Sequence, residues 1–257
     1  MSFFSKVLAS VGIGGCKVDT KLAKASFVQG EQIDGVIAIT GGKIDQQIEH
    51  LYIEVCCKYD VENDDNGVST QTAVLCRQLI TQNITVLEGE EKEVPFSFQL
   101  PYDTPMTYGK TKVWLQTSGD IKNAMDPNDT DFIKVEPNQL SSSILHSMED
   151  IGFRLREVVC EEVPRRLRDK YPFAQEWEFV PTSGEFRGLL DEIELIFMKQ
   201  NESNVELLIE VDRRARDFGS FLSELMETDE TKLRVYLSVN DIPQMEAKLT
   251  ELIRKYA

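Results

Sequence analysis

From Val94 to Leu100 every second residue is apolar: Val94, Phe96, Phe98 and Leu100 alternate with Pro95, Ser97 and Gln99. Side chains of an extended chain point to alternate faces, so this spacing puts one valine and three large apolar groups on one side of a strand. Pro101 and Pro105 stop the run. The same period of two recurs along the first half. Residues 16–25 alternate loosely and read as a first strand. A turn is expected over 27–31, then a strand over 33–40 that places Ile37 and Ile39 opposite Val36, Ala38 and Thr40. Gly41 and Gly42 end it. Over 48–59, Leu51, Ile53, Val55 and Cys57 share one face, and Tyr52, Glu54, Cys56 and Lys58 the other. Asn66 and Gly67 then precede a run over 68–80. Both residues tolerate positive φ, so a hairpin is expected there. Residues 88–91 (EGEE) are a further turn, and strands follow at Val113 and Leu115 and over 132–135. Many short strands with turns at short intervals point to a β-sandwich.

The period changes after Pro137. Leu140, Ile144, Leu145, Met148 and Ile151 recur at helical spacing behind Asn138, a good N-cap, so a helix is expected over 139–150. Strands return over 153–163 and 176–180, the second anchored by Trp177 and Phe179. A hairpin is expected from 191–198 and 205–211, a short helix around Phe218, Phe221, Leu222 and Leu225, and a strand over 232–239. The last segment is a helix with Asp241 as its cap, Gln244 completing a capping box and Pro243 in the first turn. Its stripe of Met245, Leu249, Leu252, Ile253 and Tyr256 is read as core packing. Two domains are therefore expected, 1–137 and 138–257.

The net charge of −16 divides equally, −8 over 1–137 and −8 over 138–257. Neither half offers a phosphate-binding surface, so nucleic acid is excluded as the expected partner. The apolar fraction of 41% supports a real core. No run reaches the ~18 consecutive apolar residues of a membrane span. The five cysteines, Cys16, Cys56, Cys57, Cys76 and Cys160, are odd in number and contain no CxxC. They read as free, mostly buried thiols of a reducing compartment.

No constellation for catalysis emerges. The only histidines, His50 and His146, have no accompanying nucleophile elbow, and GxGxxG, P-loop and HExxH motifs are absent. The cysteines and histidines lack zinc-ligand spacing. Residues 62–67 (ENDDNG) loosely match the start of a calcium loop, but Ala73 occupies the position of the bidentate glutamate. Asp126, Asp129 and Asp131 form a second acidic cluster, read as a solvated loop. No cofactor or metal is expected.

Two basic clusters stand out in this acidic chain: Arg165, Arg166, Arg168 and Lys170, and Arg213, Arg214 and Arg216. Either they pair with neighbouring carboxylates such as Glu161, Glu162, Asp212 and Asp217, or the arginines form a docking patch for an acidic partner. Exposed pairs contribute only ~0–1 kcal/mol each, so stability alone does not require such clustering.

Several segments together resemble a known family. They are residues 27–37 (FVQGEQIDGVI), 94–101 (VPFSFQLP), 126–137 (DPNDTDFIKVEP), 151–157 (IGFRLRE), 172–179 (PFAQEWEF) and 210–214 (EVDRR). The chain resembles the bacterial, Bacillus-type sporulation-control proteins of the arrestin-like superfamily over nearly its whole length. That resemblance implies a mostly β fold of two tandem arrestin-like, immunoglobulin-type β-sandwich domains with short helices, one of them C-terminal. It also implies a non-catalytic, cytoplasmic regulatory adaptor that controls sporulation through protein–protein interactions. Edge strands of such sandwiches give a route to a homodimer. A different reading stays open at the amino terminus. Residues 13–16 (IGGC) loosely match a lipobox, which would make an envelope module anchored at Cys16. Phe3, Phe4 and Leu8 would otherwise insert into a membrane surface from a short amphipathic helix.

Overall fold

The computed structural model describes residues 15–62, 67–121, 125–163, 168, 170–212 and 232–257. The helices expected around Phe3 to Val11 and Phe218 to Leu225 lie outside these residues, as does Asn66. Eight strands precede Pro137: β1 Lys17–Leu22, β2 Ser26–Val28, β3 Gln32–Thr40, β4 Gln46–Glu62, β5 Val68–Val86, β6 Glu91–Gln99, β7 Val113–Ile121 and β8 Asn128–Glu136. Then come helix α1 Gln139–Ile151, strands β9 Phe153–Glu162, β10 Phe173–Pro181, β11 Glu192–Gln200, β12 Asn204–Asp212 and β13 Lys232–Ser238, and helix α2 Met245–Arg254.

In the first half β1, β3 and β6 form an antiparallel three-stranded sheet. It faces β5, β4, β7 and β8 of a second sheet across one core. The alternation of Leu51, Ile53, Val55 and Cys57 delivers all four to that core, where each is fully buried. Ile33, Ile37, Ile39, Phe96 and Phe98 close it from the other sheet. This is sheet-on-sheet packing of the kind the alternation predicts. The residues expected only as a turn at 27–31 begin as β2, which runs parallel to the end of β8, with Phe27 opposite Val135. Glu62 pairs with Val68, so the chain reverses between them as the hairpin reading requires.

The second sheet does not stop at the half-way point. β4 meets β9 in parallel at Asp60 and Glu161, and β9 to β13 follow as a continuous antiparallel meander. The layer over β9–β13 is helical among the described residues. Leu140, Ile144 and Met148 of α1 and Met245, Leu249 and Ile253 of α2 pack on Trp177, Phe179, Leu195, Leu207 and Ile209. The α2 stripe is thus core packing, as expected.

Asn138 accepts from Ser141 N at 2.9 Å and starts α1 as expected. Gly152 ends α1 at φ 107°, a left-handed conformation that side chains resist. The C-terminal cap is a correction. Residues 239–244 form a 3-10 turn capped at Ser238, whose N–H donates to Asp241 Oδ2 at 2.7 Å. Asp241 is the third residue of that turn rather than the cap of α2, and Gln244 makes no side-chain cap. Pro243 fits the tighter turn, and the α-helix begins two residues later.

Candidate interaction surface

The arginines singled out in the sequence are only partly placed. Arg165, Arg166, Arg213, Arg214 and Arg216 lie outside the described residues. Arg168 pairs with Glu162, and its Nε donates to Val163 O at 2.9 Å. Lys170 sits 3.1 Å from Asp103. These contacts follow the carboxylate-pairing alternative for those two side chains.

The histidines and acidic loops take structural positions. His50 Nδ1 is 3.5 Å from Asp120 and its ring stacks on Tyr52. His146 Nδ1 sits 2.7 Å from Ser142 O, one helical turn back. Asp126 accepts from Ile121 N and Asp129 from Thr20 N, which ties the loop to β1 and β7. Burial, with Asp129 close by, pushes Asp131 up to about 6. Among the described residues, no group of three His, Cys, Asp or Glu side chains is placed to hold a metal ion.

All five cysteines are free thiols, four of them buried. Burial pushes Cys16 up to about 11 and Cys56 and Cys160 up to about 12, so these sulfurs are protonated and unreactive at neutral pH. Cys16 lies inside the first core, and its backbone N–H donates to Gln46 Oε1 at 2.6 Å. No helix among the described residues is long and apolar enough to cross a membrane.

Two cross-strand rows were not foreseen from the sequence. One is acidic. Glu157 of β9 stands opposite Glu178 of β10, Glu178 opposite Glu194 of β11, and Glu194 opposite Glu210 of β12. Like charges placed directly opposite destabilise a sheet. Arg156 relieves part of this by pairing with both Glu178 and Glu192. Burial and the neighbouring carboxylates push Glu176 up to about 8 and Glu194 up to about 9. On the same face, Val163, Ala174, Ile196 and Leu208 make a small apolar cluster beside the row. Both faces of β10 and β12 are accordingly buried.

The other row is apolar and begins at the edge of the sheet. Val74 of β5 stands opposite Cys56 of β4, Cys56 opposite Trp114 of β7, and Trp114 opposite Phe132 of β8. The row lies on the face away from the first core. Its ends are open, Val74 at 48% and Phe132 at 63% exposure, and Trp114 and Phe132 rings meet at 5.9 Å. A cleft of about 190 Å³ lies elsewhere, between Asp103, Lys170, Tyr171, Phe173, Met198 and Gln200, where the halves join.

A family model described as SpoOM protein matches residues 4–215. The chain belongs to this family. It is 41% identical, over the full length of both chains, to the sporulation-control protein spo0M of Bacillus subtilis (strain 168). It is also similar to the crystal structure of Spo0M, sporulation control protein, from Bacillus subtilis, with a TM-score of 0.87 at 39% identity, covering 95% of this chain and 100% of that one. The mostly β architecture of the described residues is that of the family, and the segments quoted from the sequence pointed to the right family.

Proposed function

We propose that this protein is a cytoplasmic regulatory adaptor of sporulation that works by binding other proteins and runs no reaction of its own. The observation that carries this reading is the full-length match to a relative named for sporulation control. The buried, protonated thiols and the structurally engaged histidines fit a binding role, since neither set is poised for nucleophilic or acid–base work.

Complementation tests it. This chain is expressed in a Bacillus subtilis strain lacking its spo0M relative, and heat-resistant spores are counted. The expected result is a return of spore frequency toward the wild-type value. A frequency that stays at the level of the deletion strain with well-expressed protein sinks the reading.

A further inference from the structure

We infer that the outer edge of β5, with the apolar row that starts at Val74, is a docking site for an extended, uncharged or basic segment of a partner protein, added to the sheet as a strand. The biological use of this site rests on the adaptor reading; its chemistry does not.

β5 is nineteen residues long and pairs only with β4 among the described residues. Among the described residues, its far side therefore presents backbone donors and acceptors along most of its length. Two of the carbonyls are taken by side chains: Tyr171 Oη donates to Leu75 O at 3.1 Å, and Lys92 Nζ to Thr85 O at 2.6 Å. Proteins usually blunt such edges with charges, proline or brevity. The other edge strands among the described residues follow that rule. β6 carries Glu91, Lys92, Glu93 and Pro95, β1 carries Lys17, Asp19 and Lys21, β13 carries Lys232 and Arg234, and β2 is three residues long. β5 does not follow it. Its sequence, VSTQTAVLCRQLITQNITV, holds one charged residue in a protein that is 28% charged. That residue, Arg77, is already engaged, 3.2 Å from Glu54 and over the Tyr52 ring at 4.0 Å. Val68, Val74 and Leu79 stand exposed along the strand.

The chemistry of the occupant follows from the frame. Glu62 closes one end of the strip and Glu88, Glu90 and Glu91 the other, within a chain of net charge −16. An acidic segment is repelled, and a neutral or basic one is not. A second copy fits less well. Antiparallel self-pairing centred on the strand sets Arg77 opposite Arg77 and brings two −16 chains together. A strand added to β5 places a side chain beside Val74 and extends the row of Val74, Cys56, Trp114 and Phe132 to a fifth member. An apolar or aromatic residue is selected at that position, and main-chain hydrogen bonds supply the rest of the affinity.

The test uses the intact chain as bait for a phage-displayed library of random dodecapeptides, and the selected sequences are then measured as synthetic peptides by fluorescence anisotropy. The expected winners alternate β-branched and apolar residues, carry no net negative charge and lose at least tenfold in affinity toward V74K/L79K. Both positions are exposed, so the variant should keep its unfolding temperature; Q78K, at another exposed site on the strand and opposite the uncharged Ile53, serves if it does not. No enrichment, acidic winners, or affinity unchanged in these variants overturns the proposal. So does a wild-type dimer in sedimentation that V74K/L79K dissociates, because the edge then belongs to a second copy. Spore counts read the adaptor hypothesis separately: peptide capture through β5 without any effect on sporulation sinks that reading and leaves strand addition standing.

Discussion

Gln175 holds Met106 by both of its backbone polar groups. Gln175 Oε1 accepts from Met106 N at 2.9 Å, and Gln175 Nε2 donates to Met106 O at 2.7 Å. Gln175 lies on β10 in the second half, and Met106 lies in the connection between β6 and β7 in the first. Both are buried. Beside them the Tyr108 and Trp177 rings meet at 4.9 Å, and Tyr171 Oη donates to Asp103 at 3.1 Å. The two halves are thus joined by specific polar contacts as well as by the β4–β9 bridge.

Gln175→Ala removes both bonds and strands the buried Met106 N–H, while Met106 O keeps the bond from Tyr108 N at 2.9 Å. An unmet buried N–H costs about 1–3 kcal/mol, and a loss of that size is expected. Urea unfolding followed by tryptophan fluorescence checks it, since Trp177 sits at the junction. If the two halves then unfold in separate steps, Gln175 couples them as well as stabilising them.

Gly152→Ala combines a strained backbone with a clash. The residue sits at φ 107°, and a Cβ there meets Ser183 O at 2.5 Å. A loss of about 2–3 kcal/mol is expected, which for a chain of this size lowers Tm by roughly 4–10 °C. Gly188→Ala is the control, because it shares a positive φ of 81° but has nothing within 4 Å. It should lower Tm less.

The contrast between what the sequence showed and what it hid has a physical basis. Strand faces are local facts, so Leu51, Ile53, Val55 and Cys57 could be assigned to the core from their spacing alone. β5 was expected to end near Ile80 but continues to Val86, because the short polar residues 81–83 carry no apolar signal while β4 goes on pairing with them. The cross-strand rows were out of reach. Glu157, Glu178, Glu194 and Glu210 become neighbours only through the register of four strands, and that register shifts at Glu178/Phe179 and Phe197/Lys199. Val74, Cys56, Trp114 and Phe132 depend likewise on the irregularity at Val55/Cys56. One signal of the docking edge was available: the near absence of charge across residues 68–86 in a highly charged chain.

Asp241→Ala tests the reassigned cap. The carboxylate accepts from both Ser238 N and Ser238 Oγ and pairs with Lys248 at 2.8 Å. A destabilisation of about 1 kcal/mol is expected, within the usual range for a lost helix-terminus contact. Gln244→Ala should be close to neutral, because Gln244 makes no capping bond. The reverse ranking in thermal melts would restore the simpler reading of a single helix capped at Asp241.

The acidic row predicts that stability falls as pH rises. In the folded chain burial and the adjacent carboxylates raise Glu176 to about 8 and Glu194 to about 9, against 4.5 for an ordinary glutamate. Between those limits the folded state holds protons that the unfolded state has released. Stability linked to these groups is fully present below about pH 4.5, declines as pH rises, and is lost once pH passes the folded values. The row therefore opposes the trend set by ordinary ion-paired carboxylates such as Glu31 and Asp241, whose pKa values are lowered and whose contribution disappears in acid. Glu194→Gln mimics the protonated form in nearly the same volume. It should leave Tm unchanged near pH 4.5 and raise it by a few degrees at pH 8, corresponding to about 1–3 kcal/mol. Thermal melts of wild type and variant from pH 4.5 to 9 decide the matter. Parallel curves over that range would mean that Glu194 is ionised throughout and that its charge is met by a partner cation.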